Sequence, residues 1–363
     1  MKLQVTQENL SKALNTVARV ANTRGTLPIL ANVLLKTTNN RLSIAATNLD
    51  IAITQYCGAK VKEEGSITIP ARLMQDFISS LPPSVINLEL DDNKLHITTD
   101  QYQSVINGVA SEDFPVMPAI EDGQEILLPG TDLKHALQQV VFAASNDEAR
   151  PVLTGVYIHG DGSKLHLAAT DSYRLAAKNI SAKVDGIDLL IPVSAMQDVL
   201  RIVNDFSDNV TITYNDQQVL FKAGEVELVA RLIEGKYPDY QKLIPKEFSN
   251  KAQIKRTDLI NITKVSSLFA RESAGSIKIT TNEDNGTLSI RSIASQIGEN
   301  TASANGKITG DGEITINSRY LLDALNAFHS EEISFCFNGK LDPVVLSDTS
   351  EKDYTHLIMP LKS

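Results

Sequence analysis

The chain has 363 residues, of which 42% are hydrophobic and 21% charged, so it can bury substantial apolar cores. Because a single core usually stops growing at ~250–300 residues, two or three domains are expected. The 44 acidic and 34 basic residues give a net charge of −10, which argues against a generally basic surface that coats nucleic acid but permits a local basic face.

The sequence predicts a soluble, cytoplasmic protein. No run reaches the ~18 apolar residues that a membrane-spanning helix needs, and the opening MKLQVTQENL is too polar for an export signal. Cys57 and Cys336 lie far apart in strand-like stretches, which favours two buried thiols in a reducing compartment over a disulfide. We expect no cofactor and no metal.

One helix-and-strand unit recurs three times along the chain. A helix-like apolar run follows Leu10, and similar runs follow Leu133 and Leu259, at spacings of 123 and 126 residues. Each copy continues through alternating strands and a second helix to a hairpin-like pair of strands about a polar turn. Each copy is therefore predicted to contain strand, helix, strands, helix, strands.

The second helices of the three copies begin at residues in register, namely Pro70, Pro192 and Asn317. We expect Pro70 and Pro192 in the first helical turn. Leu73, Phe77 and Leu81 then recur at helical spacing, so we expect them to form the stripe that faces the sheet. Proline-bearing stretches without a period separate the copies. The predicted domains are residues 1–122, 123–248 and 249–363.

Enzyme motifs are absent from the sequence, which has no Gly-rich phosphate loop, GxSxG, HExxH or CxxC. His159 and His166 flank the turn GDGS and could lie across a hairpin, where we expect a solvated pair and not a metal site. Asp171 is interpreted as a turn former between two strands. The alternative is an active site around Asp171, Tyr173 and Arg174, and the lack of a convergent nucleophile, base or metal set counts against it.

Several short motifs occur in a fixed order within the copies: TLPIL at 26–30, IPARLMQDF at 69–77, EDFP at 112–115, RPVLTGV at 150–156, ATDSYRLA at 169–176, YPDY at 237–240 and HLIMPL at 356–361. Together they resemble the bacterial sliding clamp family, the beta subunit of DNA polymerase III, over essentially the whole chain. The resemblance implies an α+β fold of three tandem clamp domains, each with two helices packed on antiparallel sheet, forming half of a closed ring.

The resemblance also implies a processivity factor without catalytic activity. Two chains would form a head-to-tail homodimer around double-stranded DNA and tether the polymerase to its template. If the helices line the ring, twelve with axes ~9.5 Å apart leave a bore of about 26 Å, whereas the six of one chain leave about 8 Å. A trimeric ring of two-domain chains is the alternative, and three copies per chain disfavour it.

The predicted helices carry ten basic and six acidic residues, which would give a mildly basic lining inside an acidic exterior. The basic residues are Lys12, Arg19, Arg72, Lys134, Arg201, Lys255, Arg256, Lys264, Arg271 and Arg319. The acidic residues are Glu8, Asp76, Asp132, Asp198, Asp258 and Asp323. The alternative is that several of these are ordinary solvated helix charges.

Residues that match the DNA contacts of the family are Arg24, Arg72 and, in the loop from Asn146 to Val152, Asp147, Pro151 and Val152. Asp147 stands where a neutral residue is more usual, which puts that loop in doubt. At the dimer interface, the matching residues are Ile106, Leu268 and Phe269, and core burial is the alternative interpretation of the last two.

The resemblance further implies a groove between the second and third domains that binds linear peptides with glutamine and hydrophobic anchors. The matching positions are Leu153, Thr170, Ser172, Tyr173, Arg174, Leu175, Pro238, Lys242, Leu243, Tyr320, Val344, Leu357, Met359, Pro360 and Leu361. Interdomain core is the alternative for Leu153, Leu175 and Leu243. The implied partners are the DNA polymerase III catalytic subunit, the clamp loader, other polymerases, and mismatch-repair or ligase proteins. Tyr173 and Lys242 depart from a histidine and an arginine of some members.

Overall fold

A computed structural model describes residues 1–21, 27–120, 122–204, 208–296, 298–348 and 352–361. The chain divides into two compact units, each of which combines segments from two of the sequence copies. Unit 1 comprises Met1–Thr131 and Asp198–Leu232. Unit 2 comprises Asp132–Gln197 and Ile233–Ser363.

The first copy contains, within the described residues, nine strands and two α-helices. In chain order these are β1 (Lys2–Thr6), α1 (Gln7–Val17), β2 (Asn32–Thr38), β3 (Arg41–Thr47), β4 (Ile51–Gly58), β5 (Lys60–Glu63), β6 (Ser66–Pro70), α2 (Ala71–Ser80), β7 (Val85–Asp91), β8 (Lys94–Thr98) and β9 (Gln103–Asn107).

The second copy has the same order of elements without the short strand β5. Its elements are β10 (Gln124–Pro129), α3 (Gly130–Val140), β11 (Gly155–Asp161), β12 (Lys164–Thr170), β13 (Arg174–Ser181), β14 (Asp185–Pro192), α4 (Val193–Asn204), β15 (Asn209–Tyr214), β16 (Gln218–Ala223) and β17 (Val226–Arg231).

The third copy repeats the order of the second. Its elements are β18 (Asn250–Lys255), α5 (Arg256–Phe269), β19 (Ser276–Asn282), β20 (Thr287–Ala294), β21 (Gly298–Thr309), β22 (Gly312–Asn317), α6 (Ser318–Ala327), β23 (Glu332–Phe337), β24 (Val344–Asp348) and β25 (Tyr354–Ile358). Short 3₁₀ turns lie at Pro28–Ala31, Ser111–Asp113, Val141–Ala143, Pro151–Thr154, Tyr240–Leu243 and Arg271–Ser273. The order predicted for each copy is confirmed.

The antiparallel sheets run from one copy into the next. Unit 1 contains a five-stranded sheet, β5-β1-β7-β8-β9, and an eight-stranded sheet, β10-β15-β16-β17-β4-β3-β2-β6, in which β17 of the second copy pairs with β4 of the first. Unit 2 contains a twelve-stranded sheet, β14-β11-β12-β13-β25-β24-β23-β18-β21-β20-β19-β22, in which β25 of the third copy pairs with β13 of the second. Paired strands thus join consecutive copies.

Helix starts differ from the prediction for the two prolines. Pro70 is the N-cap of α2 and the last residue of β6, and Pro192 ends β14 one residue before α4. Proline therefore ends the strand here instead of occupying the first helical turn. Proline has no backbone N–H, and neither position requires one. Asn317 caps α6 with its side chain, whose Oδ1 accepts from the backbone N–H of Arg319 at 2.8 Å.

Of the stripe that we expected to face the sheet, only Leu81, the C-cap of α2, is buried. The buried residues of the helix are Ala71, Met74 and Ile78. Leu73 is 54% exposed and Phe77 is half-buried. Both choices have helical spacing, and only the packing partners distinguish them, so periodicity alone selected the wrong face.

The expectation for the two histidines was half right. His159 and His166 do face each other across the β11–β12 hairpin. They are not a solvated pair, however, because their rings stack with centroids 4.6 Å apart and only 13% of the His166 side chain is exposed. Cys57 and Cys336 are both buried free thiols, and burial raises the pKa of Cys57 to about 11.

Membrane-spanning helices and metal-holding clusters are both absent from the described residues. No helix there combines the length and the apolar character that crossing a membrane requires. The described part of the chain also contains no group of three or more His, Cys, Asp or Glu residues arranged to hold a metal ion.

Candidate functional site

A tight turn between β12 and β13 forms the first part of the candidate site. Thr170 Oγ1 donates to the carbonyl of Arg174 at 2.6 Å and accepts from the N–H of Ser172 at 3.1 Å. Asp171 Oδ1 accepts from the N–H groups of Tyr173 and Arg174, both at 2.9 Å. Ser172 has a positive φ of 76°. Asp171 is therefore a turn former, as predicted, and the turn holds the Tyr173 ring 57% exposed.

The strand join next to this turn supplies an apolar floor. In register across the sheet lie Leu175 of β13, Leu357 of β25 and Val345 of β24. All three are buried in one cluster with Leu153. Tyr237 and Tyr240 complete this cluster from the segment that follows β17. We call it the groove floor.

The sequence placed Val344 in the groove, and the structure corrects this. Val344 pairs with Ile358 and is fully buried, whereas Val345 pairs with Leu357. Side chains alternate between the faces of a strand, so Val344 belongs to the face opposite the groove floor. Tyr237 and Tyr240 were also missed. The dipeptides Phe114-Pro115 and Tyr237-Pro238 lie 123 residues apart, the spacing of the repeat. That spacing was the available signal, since Phe114 is buried at the equivalent position.

Three exposed apolar side chains border the floor. Tyr173 is 57%, Leu243 50% and Met359 36% exposed. The backbone N–H of Met359 donates to the carbonyl of Tyr173 at 2.8 Å, which continues the β13–β25 ladder and sets the two residues side by side. Large apolar groups left in water beside a buried apolar floor are typical of a site for a hydrophobic ligand.

Polar and terminal residues predicted for the groove lie around this border. Lys242 is paired with Asp239 at 2.8 Å on the surface, and Pro238 is exposed. Pro360 and Leu361 are half-buried beyond β25, and the N–H of Leu361 donates to the carbonyl of Thr315 at 2.8 Å. The chain after Met359 is thus tied to β22.

Arg174, predicted as a groove residue, is engaged within unit 2. Its guanidinium donates to Asp171 at 3.0 Å and to Asp323 at 2.6 Å. It also donates to the carbonyl of Phe142 at 2.8 Å and lies 4.7 Å from the Tyr320 ring centroid. With 12% of its side chain exposed, Arg174 ties β13 to α6 and to the turn after α3. Its donors serve the fold, as do the oxygens of Asp171.

A polar cleft of about 410 Å³ lies beside Tyr173 and Arg174, and Tyr320 and Arg150 line it. Arg150 donates to Asp147 at 3.2 Å and to Ser172 Oγ at 3.0 Å. The loop that begins at Asn146 is therefore attached to the turn at Ser172.

The predicted DNA contacts that the structure describes belong to different compact units. Arg72 is exposed on α2 in unit 1, and Arg24 lies outside the described residues. In unit 2, Asp147 accepts from the N–H of Ala149 and pairs with Arg150, so it organises its own loop. Pro151 is exposed, and Val152 packs against the groove floor.

Among the basic helix residues, Arg256 and Arg201 make side-chain contacts within the protein. Arg256 donates to the carbonyls of Ser330 at 3.2 Å and Leu325 at 3.3 Å, where it satisfies the end of α6. Arg201 pairs with Asp198 at 2.6 Å. In unit 1, a cleft of about 770 Å³ is lined by one face of α1 and by α4 residues from Asp198 onward. Its lining residues include Glu8, Lys12, Arg19, Asp198 and Arg201.

The predicted interface residues differ in exposure. Leu268 on α5 is 53% exposed, and Phe269 next to it is half-buried. Ile106 on the edge strand β9 is only 6% exposed, but its neighbour Val105 is 49% exposed.

Comparison with known proteins covers the whole chain. Family models of the N-terminal, central and C-terminal domains of the DNA polymerase III beta subunit match residues 1–118, 127–239 and 241–362. The beta sliding clamp of Synechocystis sp. is 34% identical over 388 residues, covering 100% of this chain and 99% of the relative. That of Synechococcus elongatus is 32% identical over 372 residues, with coverage of 100% and 99%.

Solved structures agree with these relatives. The DNA polymerase sliding clamp of Bacillus subtilis has a TM-score of 0.95 and 26% identity, covering 100% of this chain and 99% of that one. The sliding clamp of Bartonella birtlesii bound to griselimycin has a TM-score of 0.94 and 28% identity, with both chains fully covered. Sequence, fold and full-length coverage agree that the chain belongs to the family of bacterial beta sliding clamps, the beta subunits of DNA polymerase III.

Proposed function

We propose that two copies of this chain close head to tail into a ring around double-stranded DNA and tether the replicative polymerase for processivity. The ring acts by linkage, because a tethered polymerase remains at high effective concentration near its template. The protein has no catalytic activity of its own and works in the cytoplasm. Its three domains extend over residues 1–122, 123–248 and 249–363.

The pairing of strands between copies carries this proposal. β4 of the first copy receives β17 of the second, and β13 of the second receives β25 of the third. β21 holds the equivalent place in the third copy, and among the described residues its segment 298–305 pairs on one side only, with β20. β9, the equivalent of β17 and β25, ends the five-stranded sheet. The β9 edge of a second chain would complete the series at β21.

Exposed apolar residues in both units support the same contact. In unit 1, Leu73 and Val105 are about half exposed, at 54% and 49%. In unit 2, Leu268 and Ile293 are 53% and 54% exposed. Two such patches on different surfaces make a heterologous, head-to-tail contact. Such contacts close into a ring when the rotation from one chain to the next is a whole-number fraction of a full turn.

The groove floor and its border are proposed to bind linear peptides with glutamine and hydrophobic anchors. Tyr173, Leu243 and Met359 would cover an inserted leucine or phenylalanine, and a methionine can adapt to several partners. The proposed partners are the DNA polymerase III catalytic subunit, the clamp loader, other polymerases, and mismatch-repair or ligase proteins. The related Bartonella clamp binds griselimycin, which supports a ligand site in this family.

Retention on DNA of different topology tests the clamp function. The chain is loaded by its clamp loader onto nicked circular plasmid, and half of the sample is then linearised before gel filtration. We expect the clamp to remain on circles and to leave linear DNA by sliding off the ends. Equal retention on both would contradict the proposal, since an ordinary DNA-binding protein does not depend on topology.

The dimer contact has a separate test. Phe269→Ser should place a hydroxyl in the contact and shift the sedimenting species from dimer to monomer. Tyr102→Ser changes an exposed residue just before β9, on the other side of the proposed contact, and should weaken the dimer less than Phe269→Ser. A Phe269→Ser chain that remains dimeric at low micromolar concentration would remove α5 from the interface.

A further inference from the structure

Four aromatic rings are stacked in series on the sheet of unit 2, on the face that carries the groove floor. The centroid distances are 4.9 Å between Tyr237 and Tyr157, 5.1 Å between Tyr157 and His159, and 4.6 Å between His159 and His166. The interplanar angles are 17°, 29° and 16°, so the rings are nearly parallel. We call this series the ring stack. It begins at a groove-floor residue and ends near the surface at His166.

A hydrogen bond links the ring stack to the groove a second time. Nε2 of His159 lies 3.1 Å from the hydroxyl of Tyr240. Tyr240 is only 5% exposed, and it begins the 3₁₀ turn that carries Lys242 and Leu243. The ring stack and this bond together hold residues 237–243, which we call the groove wall, on strand β11.

We propose that His159 is a positioning residue for the groove wall and makes peptide binding dependent on pH. The proposal rests on the peptide-binding function of the groove. A buried tyrosine hydroxyl needs a hydrogen-bond partner, and Nε2 of the neutral imidazole protonated at Nδ1 accepts a hydrogen bond from it. In the imidazolium form Nε2 carries a proton and can only donate to the Tyr240 oxygen, so the hydroxyl proton of Tyr240 loses its acceptor.

The surroundings of His159 favour the neutral ring while the wall is docked. Burial lowers the pKa of His159, and a positive charge on the adjacent His166 lowers it further. The groups that oppose this effect are Asp188 on β14 and Asp161 at the end of β11. Asp188 also interacts with Tyr157, and Asp161 is engaged by His166, which accounts for the lowered pKa of Asp161. His166 is held from β13 by Asn179, at 2.7 Å.

The direction of the pH effect follows from this lowered pKa. A histidine whose pKa is lower in the docked state stabilises that state above its ordinary pKa near 6.5, and the stabilisation is lost as pH falls through that value. Acidification therefore shifts the wall away from the docked position. We expect peptide affinity to be constant from pH 8.5 to 7 and to weaken as pH falls toward 5.5.

Fluorescence anisotropy with a rhodamine-labelled Gln-Leu-type peptide without titratable side chains measures this effect on the intact protein. Rhodamine is used because its emission is insensitive to pH in this range. We expect the Kd to increase about fivefold between pH 7.5 and 5.5, a change that one linked ionisation can produce. Circular dichroism and sedimentation at each pH verify that the chain stays folded and dimeric.

Three variants separate positioning from a merely structural role. His159→Gln retains an acceptor for Tyr240 but does not titrate, so it should bind at pH 7.5 like the parent and show a flat pH profile. His166→Gln removes the neighbouring imidazole and should move the midpoint to higher pH. His329→Gln, an exposed residue outside the ring stack, is the matched control and should keep the parent profile.

The outcomes also distinguish this inference from the function on which it rests. Absence of peptide binding at pH 7.5 would contradict the groove itself. Binding that does not change with pH, or an unchanged pH profile in His159→Gln, would overturn the role of His159 and leave the groove intact.

Discussion

The same turn occurs in both units of the molecule, with different side chains at its border. In unit 1, Thr47 Oγ1 donates to the carbonyl of Ile51 at 3.0 Å, and Asn48 Oδ1 accepts from the N–H groups of Asp50 and Ile51. Leu49 has a φ of 79°. These contacts match those of Thr170, Asp171 and Ser172 in unit 2, so the repeat preserved the backbone of the turn.

The strand joins beside the two turns also match. Arg231 donates its N–H to the carbonyl of Asp50 at 2.9 Å, as Met359 does to Tyr173 at 2.8 Å. Thus Asp50 occupies the place of Tyr173, and Arg231 that of Met359. A cleft at the unit 1 turn has a volume of about 110 Å³. The backbone alone does not make a site for a hydrophobic ligand, because two side chains per join decide whether the border is apolar or charged.

The largest effect is expected where unit 2 has Arg174 and unit 1 has Ile51. Arg174→Ile would give unit 2 the residue of unit 1 and leave Asp171, Asp323 and the Phe142 carbonyl without their donor. We expect a loss of about 3 kcal/mol in the free energy of unfolding, the cost typical of breaking a buried ion pair. Urea unfolding measures this loss of free energy. It is followed by circular dichroism because the chain has no tryptophan. Arg319→Ala, on the exposed side of α6, is the control, and a loss below ~1 kcal/mol would contradict the structural role.

Exchanging the border tests the comparison directly. Tyr173→Asp combined with Met359→Arg gives the groove the border of unit 1, and removal of both apolar groups should weaken peptide binding by more than about tenfold, since ~1.4 kcal/mol of lost burial suffices. Met359→Ala alone should have a smaller effect. Anisotropy gives both values, with Asp50→Asn in unit 1 as the control. Unchanged affinity in the double variant would remove these two residues from the site.

The two turns should respond alike to loss of their threonine hydroxyls. Thr170→Val and Thr47→Val each remove one donated and one accepted hydrogen bond. We expect each to cost about 1–2 kcal/mol of stability. Thermal unfolding of the two variants measures the costs side by side. A large difference between them would mean that the turns are equivalent in shape but not in energetic role.

The smallest effect is expected for the contact that unit 1 lacks. Ser172→Ala removes the hydrogen bond from Arg150, and position 172 corresponds to Leu49, which has no hydroxyl. Because 44% of the Arg150 side chain and 49% of its partner Asp147 are exposed, we expect a stability change within about 0.5 kcal/mol. Thermal unfolding again measures it. A loss above ~1 kcal/mol would show that Arg150 holds the loop as firmly as Arg174 holds α6.

Much of the fold was predictable because it depends on neighbours in the chain. Alternation and helical periodicity predicted the order of elements in each copy, and Asp171 was recognised as a turn former since its hydrogen bonds reach only two or three residues ahead. The groove residues Leu153, Leu175 and Leu357 were identified through resemblance to the family, and the structure brings them together.

The errors share a physical cause. Leu73 was assigned to the buried face of α2, and Val344 to the groove face of β24. In both cases the period was right and the face was wrong, because the face depends on which surface lies opposite. His159 and His166 were placed across a hairpin correctly, but their burial depends on Tyr157 and Asn179, which the hairpin alone does not supply.

By itself, the sequence determined three copies of one unit, the order of helices and strands, and the turns that local hydrogen bonds form. Only the tertiary structure decided that β25 pairs with β13 and β17 with β4, and that the guanidinium of Arg174 is bound by Asp323 of α6. It also brought Tyr237 and Tyr240 to the groove floor. These contacts join residues far apart in the chain, so their energies depend on packing that no local pattern encodes.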